Sequence, residues 1–197
     1  MYRFTSIKYC TTTALVAALL TVFGLGSYWM GGKWIANALN SKGSIIQLFD
    51  GLLLALTALI AGPMLLVAGI IAGFLFDLII TADGSLSLAI LPATIIIRIL
   101  VFMMIRIFMT TKWYSCFWTF FIALLPILLL YPLYTLYLNG PAAAIMEIII
   151  NCIQCGASYV LGIGLYWQLN RIQIRSNNGL WNDEQFKSYK KCRIQSI

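Results

Sequence analysis

The sequence predicts an all-α, polytopic membrane protein with six transmembrane helices and both termini in the cytoplasm. Of 197 residues, 61% are hydrophobic and only 10% charged, with a mean hydropathy of +0.91, which is far too apolar for a soluble globule. Apolar runs of bilayer-spanning length recur along the chain. The formal net charge of +7 is also unevenly placed. Counting outward from the runs, Arg3, Lys8, Arg106, Lys112, Arg171, Arg175, Lys187, Lys190, Lys191 and Arg193 fall on one side, and Lys33 and Lys42 on the other. The positive-inside rule puts the first set in the cytoplasm and requires an even number of spans.

The elements follow in order. Span one covers about 9–30; it lacks a small-residue cleavage site and is followed by further spans, so it reads as a span and not as a cleaved signal. A Gly-, Lys-, Trp- and Asn-rich loop follows, from Gly31 to Ser44. Span two covers about 45–61 and stops at Gly62-Pro63, a tight break. Span three covers about 63–82, and Asp83-Gly84-Ser85 turns the chain. Span four covers about 88–109; Pro92 either bends it or lies in its first turn. Span five covers about 115–138, Asn139-Gly140-Pro141 turns again, and span six covers about 141–169. A basic cytoplasmic tail, 170–197, completes a single transmembrane domain, 1–197. The tail's charge is explained by topology, and no nucleic-acid-binding fold accompanies it.

Glu147, Asn151 and Gln154 stand out in the last span, whose remaining residues are chiefly Ile, Leu, Ala, Gly and Val. Their i, i+4, i+7 spacing puts three polar groups on one helical face. A carboxylate at membrane depth is costly and marks a ligand, an ion path or a structural partner. Under the topology above, Glu147 lies ~9 Å and Gln154 ~20 Å below the outer end of span six, and Arg98 ~15 Å into span four. Asp50 and Asp77 are expected to be shallow on the outer side. Polar groups confined to the outer half describe a cavity open outward and closed below, whereas a channel needs them through the full thickness.

Several residues carry two readings. Asp77 and Arg98, on neighbouring spans, either neutralise each other or leave Arg98 for an anionic ligand group. Trp34, with Asn37 and Asn40, belongs to an interfacial aromatic belt or caps the pocket; Tyr131, with Tyr134 and Tyr137, belongs to the same belt or to the pocket wall. Ala14 and Ala18, four apart, allow close helix approach, inside the chain or to a partner. Cys152-x-x-Cys155 sits in an apolar helix of a chain with no histidine, so buried thiols are preferred to a metal or redox site.

Four stretches together resemble a known family, the substrate-binding S components of energy-coupling factor (ECF) vitamin transporters. They are Ala14-x-x-x-Ala18; Phe49-Asp50-Gly51 through Ala61-Gly62-Pro63 to Gly69-Ile-Ile-Ala-Gly73 and Asp77; Pro92-Ala-Thr94 leading to Arg98; and Glu147-x-x-x-Asn151-x-x-Gln154. The chain departs from the family where many members carry a proline after the glutamate, and at Val101-Phe102-Met103, where a small residue is usual. The pattern is nearest to the pantothenate and hydroxymethylpyrimidine types, and Arg98 would suit a carboxylate, which favours pantothenate.

The resemblance implies a multi-pass subunit of a prokaryotic plasma membrane that captures a water-soluble vitamin or precursor from outside. Glu147, Asn151, Gln154, Arg98, Trp34, Asn37 and Tyr131 would contact the solute. Ala14 and Ala18 would dock on a transmembrane coupling protein that carries two cytosolic ATPases. ATP would be bound and hydrolysed by those partners; this chain would need no cofactor or metal and would not itself be an enzyme. The sequence has no Gly-x-x-x-x-Gly-Lys-Ser/Thr loop. The rival classes are an integral membrane enzyme acting on a lipid phosphate and a structural subunit of a membrane complex. Asp50-Gly51 and Asp83-Gly84 begin a phosphotransferase-like pattern whose downstream residues are missing.

Overall fold

The computed structural model describes residues 7–38, 46–58, 63–82, 88–109 and 114–175. All regular structure among them is helical. The elements are α1 (Ile7–Ser27), a π-helical turn (Tyr28–Gly32), α2 (Lys33–Ala38), α3 (Phe49–Leu56), α4 (Pro63–Ala82), a 3-10 turn (Leu88–Ile90), α5 (Leu91–Phe108), α6 (Ser115–Asn139) and α7 (Pro141–Arg175). Among the described residues, five helical stretches are long and apolar enough to cross a membrane: Cys10–Ile35, Met64–Ala82, Leu91–Phe108, Ser115–Asn139 and Pro141–Leu169.

Two elements differ from the sequence reading. The first helical stretch does not stop at Met30. It passes through the π-helical turn and continues to Ala38, so Gly31 and Gly32 are helical. The second expected span is represented by α3, whose 8 residues reach only ~12 Å. Ile46, Gln47 and Leu48 ahead of it are non-helical. Nevertheless α3 lies at the centre of the bundle, with Phe49, Asp50, Gly51, Leu53, Leu54, Ala55 and Leu56 all buried. The Asp83-Gly84-Ser85 turn, Gly62 and the tail from residue 176 onward lie outside the described residues.

Paired contacts fix the directions. Thr21 meets the Ala72 carbonyl, and Gly24 and Tyr28 pack on Phe76, so α1 and α4 run parallel. Asp50 meets Gln154, Gly51 meets Ser158 and Leu54 meets Gly162, so α3 and α7 also run parallel. Thr94 meets Asp77 and Tyr131, and Phe117 meets Trp167, which makes α4, α5, α6 and α7 successively antiparallel. The six segments therefore alternate in direction. Gly140, at φ 86°, makes the reversal between α6 and α7, in a region of backbone space that favours glycine. Pro92 falls in the first turn of α5, where its missing N–H has no helical acceptor to lose.

Small residues bring the helices close. Ala17, Ala68, Ala72 and Ala123 are buried in the main core with Leu20, Leu54, Ile97, Phe120 and Ile127. Association of apolar helices depends on such packing, because lipid offers no hydrophobic penalty to escape. At Gly32 a Cβ would collide with the Ile46 carbonyl oxygen. At Gly51 it would lie 2.9 Å from the Ser158 carbonyl oxygen. These two glycines let the non-helical segment and α3 approach α1 and α7.

Candidate functional site

The interior of the bundle carries one connected set of polar side chains. Asp50, Asp77, Thr94, Arg98, Glu147, Asn151 and Gln154 are all buried. α4 supplies Asp77 near its end, α5 supplies Thr94 and Arg98 near its start, α6 supplies Tyr131, α7 supplies Glu147, Asn151 and Gln154, and α3 supplies Asp50 in its first turn. The i, i+4, i+7 face of α7 is turned into the bundle, with Glu147 at 7% and Asn151 at 3% exposure.

The ion pair differs from the one the hairpin of neighbouring spans suggests. Arg98 pairs with Asp50 and not with Asp77. The guanidinium carbon also sits 4.5 Å from the centroid of the Phe49 ring, a cation–π contact, and Arg98 Nε lies against Gly73. Asp50 is therefore not shallow. It lies level with Arg98 and with Gln154, whose Nε2 donates to Asp50 Oδ2 at 3.2 Å. Its place in the first turn of α3 adds the favourable helix dipole to the ion pair.

Asp77 is met by a chain of hydroxyls. Tyr131 Oη donates to Thr94 Oγ1 at 3.1 Å, and Thr94 Oγ1 donates to Asp77 Oδ2 at 2.5 Å. Thr94 and Arg98, one turn apart on α5, both lie against Gly73 of α4, which brings the Asp77 and Asp50 halves of the set together. On α7, Asn151 Nδ2 donates to Glu147 Oε1 at 3.3 Å.

The non-helical Ile46–Leu48 segment enters this region, and the amides of Gln47 and Leu48 are satisfied by side chains. Gln154 Oε1 accepts from the Gln47 N–H at 3.3 Å, and Ser27 Oγ accepts from the Leu48 N–H at 3.0 Å. Irregular backbone within an apolar bundle requires such partners. The π-helical turn begins immediately after Ser27 and turns Gly32 towards Ile46.

Of the residues singled out from sequence, Glu147, Asn151, Gln154, Arg98 and Tyr131 come together in this set. Trp34 does not: it is 77% exposed at the far end of the first helical stretch. The side chain of Asn37 and residue Asn40 lie outside the described residues. Ala14 and Ala18 are exposed on α1, beside the exposed Leu15, Leu19 and Val22. Cys152 is exposed and Cys155 buried, both as free thiols, and Cys155 Sγ is 3.9 Å from the Leu124 carbonyl.

Sequence reasoning missed Thr94, Ser27, Gln47 and Phe49 as parts of the site. A signal existed for Thr94. Gly73 and Asp77 on α4, and Thr94 and Arg98 on α5, are each spaced i, i+4, so both pairs present one face to the neighbouring helix.

A separate aromatic crevice of about 350 Å³ lies between α6 and α7, lined by Tyr114, Phe117, Trp118, Phe121 and Tyr159. It shares no residue with the polar set.

No protein-family model, curated protein or solved structure matches this chain.

Proposed function

We propose that this chain is the membrane-embedded solute-binding subunit of an energy-coupling factor importer, which captures a water-soluble vitamin or precursor from outside. It has six membrane-crossing segments and cytoplasmic termini, and lies in a prokaryotic plasma membrane. The observation that carries the reading is the convergence of polar side chains from five helices inside an otherwise apolar bundle. Such groups are expensive to bury and are retained where they serve a ligand or a path. They gather towards the end at which α5 and α7 begin, and the positive-inside rule puts that end outside.

Two further observations support it. The alternating helix directions bring Ile7 and Arg175 to the same end of the bundle, as an even number of crossings requires. The exposed Ala14 and Ala18 give α1 a face on which a second membrane helix can approach closely, suited to a transmembrane coupling protein with two cytosolic ATPases. The favouring of pantothenate rested on Arg98, whose charge is met by Asp50; solute capture does not depend on it.

The test is to purify the full chain in lipid nanodiscs, release what co-purifies and identify it by mass spectrometry. A stoichiometric vitamin or precursor is expected, and Glu147→Ala should weaken its binding about 10- to 100-fold, as loss of a charged hydrogen-bonding group does. Unchanged affinity in a folded Glu147→Ala variant would remove Glu147 from the site. Absence of any bound solute would overturn the proposal.

A further inference from the structure

We propose that the aromatic crevice between α6 and α7 holds one anionic phospholipid, with an acyl chain in the crevice and the phosphate at the basic end of the bundle. The inference does not depend on solute capture. It needs only that the long apolar helices lie in a bilayer.

The crevice suits an acyl chain. Its volume of about 350 Å³ is in the range of small-molecule sites, and its lining is wholly aromatic: Tyr114, Phe117, Trp118, Phe121 and Tyr159. Edge-to-face ring pairs tie the two helices together along it, Phe121 with Tyr159 at 6.4 Å and Phe117 with Trp167 at 5.9 Å. The rings do not seal it, because Trp118 is 68% and Phe121 54% exposed on the outside of the bundle. From Tyr114 to Phe121 it follows α6 for ~10 Å, about a third of a ~30 Å hydrocarbon core. It therefore opens sideways, at the depth where the upper part of a lipid chain lies.

The end of the bundle at which the crevice begins is basic. α7 continues beyond its apolar stretch, which stops at Leu169, and carries Arg171 and Arg175 one and two turns past Trp167. Ser115 Oγ donates to the Phe108 carbonyl at 3.1 Å, which brings the last turn of α5, with the exposed Arg106, to the start of α6. The described acids, Asp50, Asp77 and Glu147, all belong to the polar set, so none of them offsets these arginines. A zwitterionic headgroup brings no net charge to such an end, whereas an anionic one complements it. Basic sites between transmembrane helices on the cytoplasmic side hold anionic headgroups in this way, and the positive-inside rule puts this end in the cytoplasm.

The full chain, purified in detergent, is titrated with phosphatidylglycerol and with phosphatidylcholine of identical acyl chains, and bound lipid is counted by native mass spectrometry. One phosphatidylglycerol per chain is expected, preferred roughly tenfold over phosphatidylcholine, and Arg171→Gln with Arg175→Gln should remove most of that preference. Trp118→Ala with Phe121→Ala, at exposed positions outside the core, should weaken retention of the lipid with the arginines intact. Equal retention of the two lipids by the unaltered chain overturns the inference without recourse to any variant. Phosphatidylglycerol binding that survives Trp118→Ala with Phe121→Ala unchanged also overturns it, because the headgroup is then held without the crevice. A lipid-free dimer that the same pair of substitutions dissociates overturns it as well, and makes the crevice an interface between copies.

Discussion

Gln154 holds Asp50 with one end of its amide and the backbone ahead of Asp50 with the other. Nε2 donates to Asp50 Oδ2 at 3.2 Å, and Oε1 accepts from the Gln47 N–H at 3.3 Å. A single side chain of α7 thus fixes both the start of α3 and the acid that neutralises Arg98. In this arrangement Gln154 positions Asp50 and the backbone ahead of it.

Gln154→Ala should leave the Gln47 N–H without its acceptor and Asp50 with one donor fewer. A loss of about 1–3 kcal/mol of stability is expected. Chemical denaturation in detergent measures the loss, and amide hydrogen exchange should quicken at Gln47 and Leu48. An exchange rate unchanged at Gln47 would mean that this hydrogen bond does not hold the segment.

Removing either member of the Arg98–Asp50 pair should be severe. Arg98→Ala leaves a carboxylate buried at 1% exposure, and about 3–5 kcal/mol is expected. The double substitution Asp50→Asn with Arg98→Gln should cost clearly less than the sum of the two single changes, because no lone charge remains. Additive effects in a double-mutant cycle would show that the pair is not coupled. Asp77→Asn combined with Arg98→Gln should show a smaller coupling than the Asp50–Arg98 cycle, which separates this pairing from the one expected between neighbouring spans.

Glycine substitutions test the close approaches. Gly32→Ala drives a methyl group into the Ile46 carbonyl, and Gly51→Ala puts one 2.9 Å from the Ser158 carbonyl. Both should lower the yield of folded protein and the Tm by several degrees. Gly31→Ala and Gly156→Ala, where a Cβ meets nothing within 4 Å, are the controls and should change Tm little. Equal behaviour of the two sets would contradict the backbone contacts.

The exposed face of α1 is tested with bulk. Ala18→Trp adds volume where the side chain is exposed and should leave solute binding unchanged in the isolated chain. On the importer reading proposed above, uptake into cells, or co-purification of a coupling protein, should fall sharply. Persistent uptake would place the docking face elsewhere.

The sequence by itself determined that this chain is helical and apolar enough to cross a membrane repeatedly, and which face of α7 turns inward. Those properties are local. Hydropathy over a window selects the long helices, Pro63 begins α4, Gly140 at positive φ separates α6 from α7, and the i, i+4, i+7 spacing aligns Glu147, Asn151 and Gln154. Only the tertiary structure decided where the second apolar run stops being helix and which acid meets Arg98. A hydropathy average cannot distinguish a continuous helix from an equally apolar segment whose amides are satisfied by Ser27 and Gln154 from other helices. Asp77 and Asp50 are both plausible partners by position along the chain. The packing of α3 against α7, permitted by Gly51 and Gly162, carries Asp50 to the guanidinium, while the Thr94 hydroxyl occupies Asp77.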